Sequence, residues 1–317
     1  MTSEKDNIIR WDFSKKPFYE NFFFELRDPE KRFAFLGRYT LTSEKEAPVG
    51  SVWGVFFDLR GLKNTVLQND FPLHKVMREQ DFFFLQIGGS AIFHNGCRAS
   101  LKEKGQEMEW DLSWEPCEEG FLPLPRLLYS LPFPRTKILT PNPLLRFNGR
   151  LRLGNETFTL SNAVGQQSHA WGNEPHPSYL WGFANQFDNN EALFEIAATP
   201  APLQRKEAPL LTAMVLRIGH EDYRFNLPHH WLKNKNNIAP DHWHFEAKNR
   251  KFYLVGDLEA EENSFARLPY QTADRKEQAE FKTLQARLHL QLFKKEEGVW
   301  TKTRELTSSQ ASLEYDR

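Results

Sequence analysis

Residues 165–187 read GQQSHAWGNEPHPSYLWGFANQF, a hairpin-length stretch of alternating aromatic and polar side chains near the middle of the chain. As a strand, 165–171 has a period of two that puts Gln167, His169 and Trp171 on one face and Gln166, Ser168 and Ala170 on the other. A second strand over 179–187 puts Tyr179, Trp181, Phe183, Asn185 and Phe187 on one face, with Leu180, Gly182, Ala184 and Gln186 opposite. A wall of one histidine, large rings and carboxamides suits an apolar ligand held by a few placed polar groups. The same spacing also describes a packed pair of core strands whose polar groups bond one another.

Outward from this stretch the chain keeps one style. Short runs at 22–27, 33–42 and 51–58 read as a meander. Others at 81–87, 91–94, 97–102 and 108–114 are divided by Gly88-Gly89, Asn95-Gly96 and Lys104-Gly105. Asn95-Gly96 predicts a tight hairpin because both residues tolerate positive φ. Further strands are expected at 145–153, 156–164, 191–198, 211–218, 223–227, 242–246, 252–258, 284–293 and 299–306. From Leu284 to Leu292, apolar residues alternate with Gln285, Arg287, His289 and Gln291, which selects strand over helix. Residues 273–281 read as one or two helical turns. Seven prolines break the pattern between 115 and 143, which marks a connection between two domains, 1–135 and 136–317. Trp53-Gly54 leading to Phe57-Asp58 is echoed by Trp181-Gly182 leading to Phe187-Asp188, favouring duplicated β-domains. Many short strands with hardly any helix make two antiparallel barrels or sandwiches the natural closed solutions.

A chain of 317 residues is long enough for two domains. Its 41 Lys+Arg against 42 Asp+Glu leave no electrostatic footprint for nucleic acid. The 27 Phe and 9 Trp exceed what a core alone requires and fit strands around an aromatic-lined interior. The first ten residues are polar and charged, without a secretory pattern, and no run approaches about eighteen apolar residues, so no transmembrane helix is expected. Cys97 and Cys117 have no CxxC or metal-type spacing, and a reduced, cytoplasmic protein is the expectation. The sequence has no P-loop, strand-led GxGxxG, GxSxG or HExxH, which removes nucleotide-dependent and common hydrolase chemistry. The oligomeric state is left open.

The segment GQQSHAWG, followed by Trp181-Gly182, Asn185 and Phe187, resembles the G-x-x-x-H-x-W-G and W-x-x-x-N-x-F pattern of a lipocalin-like superfamily. That superfamily contains carotenoid 1,2-hydratase (hydroxyneurosporene synthase), tocopherol cyclase and AttH-type proteins. Trp53 to Asp58, Glu109-Trp110-Asp111-Leu112 and the closing alternating strands agree with it. The resemblance implies an all-β chain of two tandem lipocalin-like antiparallel β-barrels, with a ligand cavity near the domain junction. It also implies chemistry without a cofactor: addition to, or cyclisation across, an isoprenoid double bond.

Protonating an alkene needs a carboxyl kept neutral by burial. The developing carbocation needs aromatic faces, a role open to Trp171, Trp181 and Tyr179. A hydratase also needs an oriented water, which Gln167 and His169 would hold, with His169 as proton acceptor. Where the hydratase pattern has a tyrosine and an aspartate, this chain has ALFEIAAT, and Glu195 is the carboxylate left to serve as acid. The expected site therefore has His169 and Glu195 as catalytic residues, with Gln167, Trp171, Tyr179, Trp181 and Asn185 binding a hydrophobic, isoprenoid or lipid-like molecule. The alternatives are a carrier or sensor without chemistry, and an interaction module whose aromatic wall is solid core. What separates them is whether these side chains border a void or fill one another's space.

A rival constellation is His229-His230-Trp231 with His242-Trp243-His244. His242 and His244 share a strand face, and Asp257 is the plausible further ligand, but the pattern is too loose to specify a metal, and none is expected. Asp58, Asp111 and Asp188 read as caps at strand ends. Arg27, Arg38 and Arg146 interrupt apolar strands and read as buried partners of carboxylates, or as anchors for an anionic head group.

Overall fold

The structure is a computed structural model describing residues 3–14, 18–43, 48–61, 63–172, 179–188, 191–201, 209–239, 241–271 and 277–316. After a short helix α1 (Ser3–Asn7), the chain forms β1 (Phe18–Asp28), β2 (Phe33–Ser43), β3 (Pro48–Asp58), β4 (Thr65–Pro72), β5 (Val76–Arg78) and β6 (Phe84–Ile87). It continues through β7 (Ser90–Phe93), β8 (Gly96–Glu103), β9 (Gln106–Ser113), β10 (Thr136–Leu153) and β11 (Glu156–Gly172). These make one antiparallel sheet in the order β4-β3-β2-β1-β11-β10-β9-β8-β7-β6-β5. A hairpin joins β7 to β8 where Asn95-Gly96 predicts one, but its turn is His94-Asn95: Gly96 already pairs with Phe93, and neither Asn95 nor Gly96 takes positive φ.

The rest of the chain supplies β12 (Leu180–Ala184), β13 (Ala192–Pro200), β14 (Leu210–Ile218), β15 (Glu221–Phe225), a helical turn α2 (Pro228–Trp231), β16 (Lys235–Ala239) and β17 (His242–Lys248). β18 (Phe252–Glu259), β19 (Ala266–Gln271), β20 (Glu277–Glu296) and β21 (Val299–Asp316) complete it. The second sheet runs β15-β14-β13-β12-β21-β20-β18-β17-β16, with β19 paired to β20. The expected all-β, two-sheet architecture is therefore present.

Strand order reveals the duplication more clearly than the Trp-Gly echo does. Each sheet has a four-strand meander whose first strand pairs with the last strand of a long closing hairpin: β1 on β11, and β12 on β21. Trp53 lies on the third strand of its meander and Trp181 on the first, so the two motifs are not equivalent in the repeat. What they share is a packing solution. A Cβ at Gly54 would lie 2.4 Å from Met108 Sδ, and one at Gly182 would lie 2.6 Å from Leu258 Cδ1, so each glycine faces a filled interior.

The chain divides elsewhere than its prolines suggest. β10 and β11, assigned by sequence to the second domain, complete the first sheet. The compact units are 1–122 with 127–176 and 271–277, and 123–126 with 177–270 and 278–317. The passage from the first sheet to the second thus follows β11, which displaces the expected boundary at 135/136. Pro141 and Pro143 misled because they sit inside β10, where its register on β11 shifts between Leu139, Asn142 and Leu145. At such irregularities a missing N–H removes no regular ladder bond.

β4, β5 and β16 escaped the sequence reading because their residues are polar or few. Asn69 ties edge strand β4 to β8: its Nδ2 donates to Lys102 O at 3.1 Å, and its Oδ1 accepts from Lys102 N at 3.2 Å. The helical turns expected at 273–281 are not formed from Glu277 onward, where β20 begins, and 273–276 lie outside the described residues.

Each sheet encloses its own apolar core. In the first, ring centroids of Phe35 and Trp110 are 5.2 Å apart, those of Phe24 and Phe147 5.6 Å, and those of Phe33 and Phe56 5.1 Å. A Cβ on Gly37 would be 2.3 Å from the Phe24 ring. In the second, Phe194 stacks on Phe245 at 5.4 Å, among Ile196, Met214 and Leu290. These rings fill one another's space, each burial contributing about 1.5–3 kcal/mol.

Asp58 caps the end of β3 as expected. Its Oδ1 accepts from the Arg60 backbone N at 2.9 Å and from Arg60 Nε at 2.8 Å. The hydrogen bond from the Arg60 side chain is the main cause holding this carboxyl below its usual range. A depressed carboxylate stabilises the fold above its unfolded pKa, and the effect fades as pH falls through the folded value. Asp58→Asn should therefore lower the melting temperature at pH 7, and the gap to wild type should close below about pH 4. Thermal melts across pH check this; a gap that persists in acid would assign the loss to something other than the charge.

Candidate functional site

The alternation read from 165–171 is correct. Gln167 and His169 face the first interior opposite Phe24 and Phe22 of β1. What they meet there is the chain's own N-terminal segment. Asn7 and Gln167 exchange two amide hydrogen bonds, of 2.7 and 2.9 Å, and Asn142 Nδ2 donates to Gln167 Oε1 at 2.8 Å. His169 Nδ1 lies 3.0 Å from the Asp6 carbonyl oxygen, and Nε2 lies 2.8 Å from Glu20 Oε1. Glu20 also accepts from the backbone N of Arg10 at 2.7 Å and of Trp11 at 2.9 Å. Gln167, His169, Glu20 and Trp11 are all fully buried. The Phe22 ring stacks on His169 at 4.2 Å, and the Arg10 guanidinium lies 5.3 Å from the Trp171 ring.

This geometry redefines His169. A carbonyl oxygen only accepts, and Glu20, receiving two backbone N–H groups, is arranged as an acceptor too. Nδ1 therefore donates to the Asp6 carbonyl, and Nε2 is engaged by the Glu20 carboxyl, so both ring nitrogens are occupied within the chain. Where the sequence reading expected a water between them, Gln167 and His169 bond to Asn7, Asn142, the Asp6 carbonyl and Glu20, an arrangement that anchors the N-terminal segment. The sequence did carry a signal for this, since Ile9 and Trp11 interrupt the polar N-terminus and both are buried.

Trp181 and Glu195 belong to the other sheet. β12 turns Leu180, Gly182 and Ala184 toward the second core, and β13 does the same with Phe194 and Ile196, so Trp181, Phe183 and Glu195 occupy the opposite face. That face is buried and polar. Trp181 Nε1 donates to Glu195 Oε1 at 3.0 Å. Across the ladder, Trp181 pairs with Glu314 of β21, which pairs with Lys282 of β20. Lys282 forms an ion pair with Glu314, to which the Tyr179 hydroxyl also donates, and its ammonium lies 4.6 Å from the Trp181 ring centroid. Asn185, just past β12, is buried as well. The sequence reading thus named Tyr179, Trp181 and Glu195 but missed Lys282 and Glu314. They lie far downstream in sequence, Glu314 being 135 residues after Tyr179, and only the pairing of β12 with β21 and of β21 with β20 brings them in.

The seven expected site residues therefore fall into two groups on two sheets: Gln167, His169 and Trp171 inside the first, and Tyr179, Trp181, Asn185 and Glu195 with the second, away from its core. The first sheet also buries charge on the face away from its core, where Arg27 and Glu25 are 3.7 Å apart and Arg38 lies 6.0 Å from the Phe23 ring. Burial is the main cause lowering the Arg27 pKa. Arg146, by contrast, is exposed.

His242 Nε2 and His244 Nδ1 both contact Asp257 Oδ1, at 2.9 and 2.8 Å. Burial raises the Asp257 pKa, but the bonds from the two histidines outweigh it and hold the carboxyl below its usual range. His229 and His230 stand on α2 with ring centroids 4.1 Å apart. Among the described residues, no group of three or more His, Cys, Asp and Glu is arranged to hold a metal ion.

No family model and no curated protein matches the sequence. Solved structures do match. A Nitrosomonas europaea protein assigned to AttH superposes with a TM-score of 0.56 at 10% identity, covering 99% of each chain. Kievitone hydratase from Nectria haematococca superposes with a TM-score of 0.57 at 9% identity, covering 100% of this chain and 96% of that one. The first is of the AttH type that the central motif resembles. At these identities the likeness carries the fold: this chain has the tandem lipocalin-like β architecture of the AttH and hydratase structures.

Proposed function

We propose that the chain binds a hydrophobic, alkene-bearing small molecule at the polar face of β12, β13, β20 and β21 and adds water to it without a cofactor. The observation that carries this reading is the buried Glu195 carboxyl on the Trp181 indole N–H, beside a ring face that already attracts the Lys282 cation. In the proposed step, Glu195 enters protonated and gives its proton to one alkene carbon. The cation left on the other carbon is stabilised by the face of Trp181. Water adds to that carbon, and its surplus proton returns to Glu195, so the net change is one H2O across the double bond. Kievitone hydratase, a neighbour in fold, is by its name a hydratase. Ring pairs such as Phe24–Phe147 and Phe194–Phe245 occupy the two interiors, which supports placing the site on the face of β12 and β13 away from the second core instead of in a barrel interior.

A second reading, a carrier that binds without converting, draws on the same face. It is favoured by Lys282, which already lies over one face of the Trp181 ring.

Extracting the purified protein with organic solvent and identifying the extract by mass spectrometry tests binding, and turnover of the extracted compound and of kievitone tests chemistry. Glu195→Gln is expected to lower kcat by about 10²-fold or more while the ligand is still retained. Unchanged turnover would remove Glu195 as the acid. A retained ligand with no product from wild type would leave the carrier, and an empty extract with no turnover would sink both readings.

A further inference from the structure

The proposed site leaves one buried cation of the first unit unused. Lys137 stands on the inner face of β10, directly across the ladder from Trp171, which in turn pairs with Glu20 of β1. Lys137 is only 7% exposed. An ammonium offers three N–H donors, and the acceptor that Lys137 holds is a backbone carbonyl, Pro134 O, at 2.9 Å. Among the described residues no carboxylate stands within ion-pair distance of it. The oxygens of Glu20 are committed to Arg10 N, Trp11 N and His169. Burial lowers the Lys137 pKa, and no neighbouring charge offsets the shift. A buried charge without a counter-charge is costly, and groups of this kind gather at binding and catalytic sites.

A second cation borders the same ring. The exposed Arg10 guanidinium lies 5.3 Å from the Trp171 ring, and its hydrogen bond goes to another carbonyl, Asp6 O, at 3.4 Å. Like Lys137, it has no carboxylate partner among the described residues. Asp12, two residues on, is engaged by Ser14, whose N and Oγ donate to its Oδ1 at 2.9 and 2.7 Å. The Tyr129 ring also packs on Trp171, at 5.9 Å, and is held there by its hydroxyl, which donates to Ile138 O at 2.8 Å. Two cations and two large rings thus meet where β11 ends, with Arg10 open to solvent.

We infer that Lys137 and Arg10 bind the carboxylate of a small amphipathic acid whose planar apolar body lies against Trp171 and Tyr129. A carboxylate suits both cations: one oxygen can take the remaining N–H groups of the ammonium while the guanidinium fork grips the other. A phosphate dianion would give up far more hydration among these rings. No residue of the second unit takes part, so this site stands whether or not the polar face of β12 and β13 turns over a substrate.

The test is calorimetric titration of the full chain with 2-naphthoate, and with the neutral 2-naphthamide as matched control. Wild type is expected to bind 2-naphthoate saturably, about tenfold or more tighter than the amide, and less tightly at high salt. Lys137→Met keeps the apolar stem and should remove that preference, while Arg10→Gln should weaken 2-naphthoate and leave the amide unchanged. Ligand-free melting curves separate a binding group from a loop tie. An unpaired buried charge costs stability, so Lys137→Met should melt at or above wild type. A lower midpoint with both affinities unchanged would make Lys137 a tie to Pro134 and overturn the inference. Absence of saturable 2-naphthoate binding to wild type, or equal affinity of wild type and Lys137→Met for it, would overturn it as well.

Discussion

His169→Ala is expected to lower the melting temperature of the first unit's transition by roughly 6–20 °C, the equivalent of about 3–5 kcal/mol. The size follows from what alanine leaves behind. Glu20 remains buried with only the N–H groups of Arg10 and Trp11, the Asp6 carbonyl loses its donor, and the Phe22 ring loses the surface it stacks on. Removing one partner of a buried hydrogen-bonded pair costs more than the pair contributes, because the other partner stays out of water. Glu20→Gln should be milder, since a carboxamide oxygen can still accept from one of the same donors. The double variant should fall well short of the sum, as coupled groups do. Thermal melts of the two single variants and the double make the cycle. If the losses simply add, the 2.8 Å contact carries no coupling. If His169→Ala melts like wild type but abolishes turnover, His169 is catalytic rather than an anchor.

That experiment also marks where the sequence stopped being informative. Period-two alternation placed the faces of 165–171 correctly, because the pleat is a local property. It could not tell what covers a face. The cover on Gln167 and His169 is a segment some 160 residues upstream, whose polar composition hides two buried apolar anchors, Ile9 and Trp11. The same limit applies to β12. Its faces were read correctly, but whether Trp181 or Gly182 looks into the core depends on the ladder with β13 and β21. Lys282 and Glu314 enter only through that ladder. Strand breaks at Gly88-Gly89 and Asn95-Gly96 were legible because the turns there are encoded by neighbouring residues. Pro141 and Pro143 were misread because an irregular strand that tolerates proline has no local signature distinguishing it from a loop.

Gly165→Ala is expected to destabilise the first sheet by about 3 kcal/mol or more, or to prevent soluble expression. A Cβ there would lie 1.8 Å from the Glu25 carbonyl oxygen and 2.8 Å from Leu26 Cα. Both are backbone atoms of β1, so no rotamer change can relieve the clash, and the strand itself must withdraw from β11. Gly89→Ala is the control: a Cβ at Gly89 meets nothing within 4 Å, and a near-wild-type melt is expected. Denaturant unfolding of the two variants reads the difference, and a Gly165→Ala midpoint close to wild type would refute the close-approach argument. The glycine and the histidine of G-x-x-x-H then belong to one device. Gly165 lets β1 lie tightly on β11 at Leu26, and four residues on, on the same face, His169 meets Phe22 across the ladder and Glu20 by side chain. Widening the ladder at Gly165 should weaken the Glu20–His169 contact as well. Adding His169→Ala to Gly165→Ala should then cost less than His169→Ala costs in wild type, a dependence that a glycine serving only its own strand would not produce.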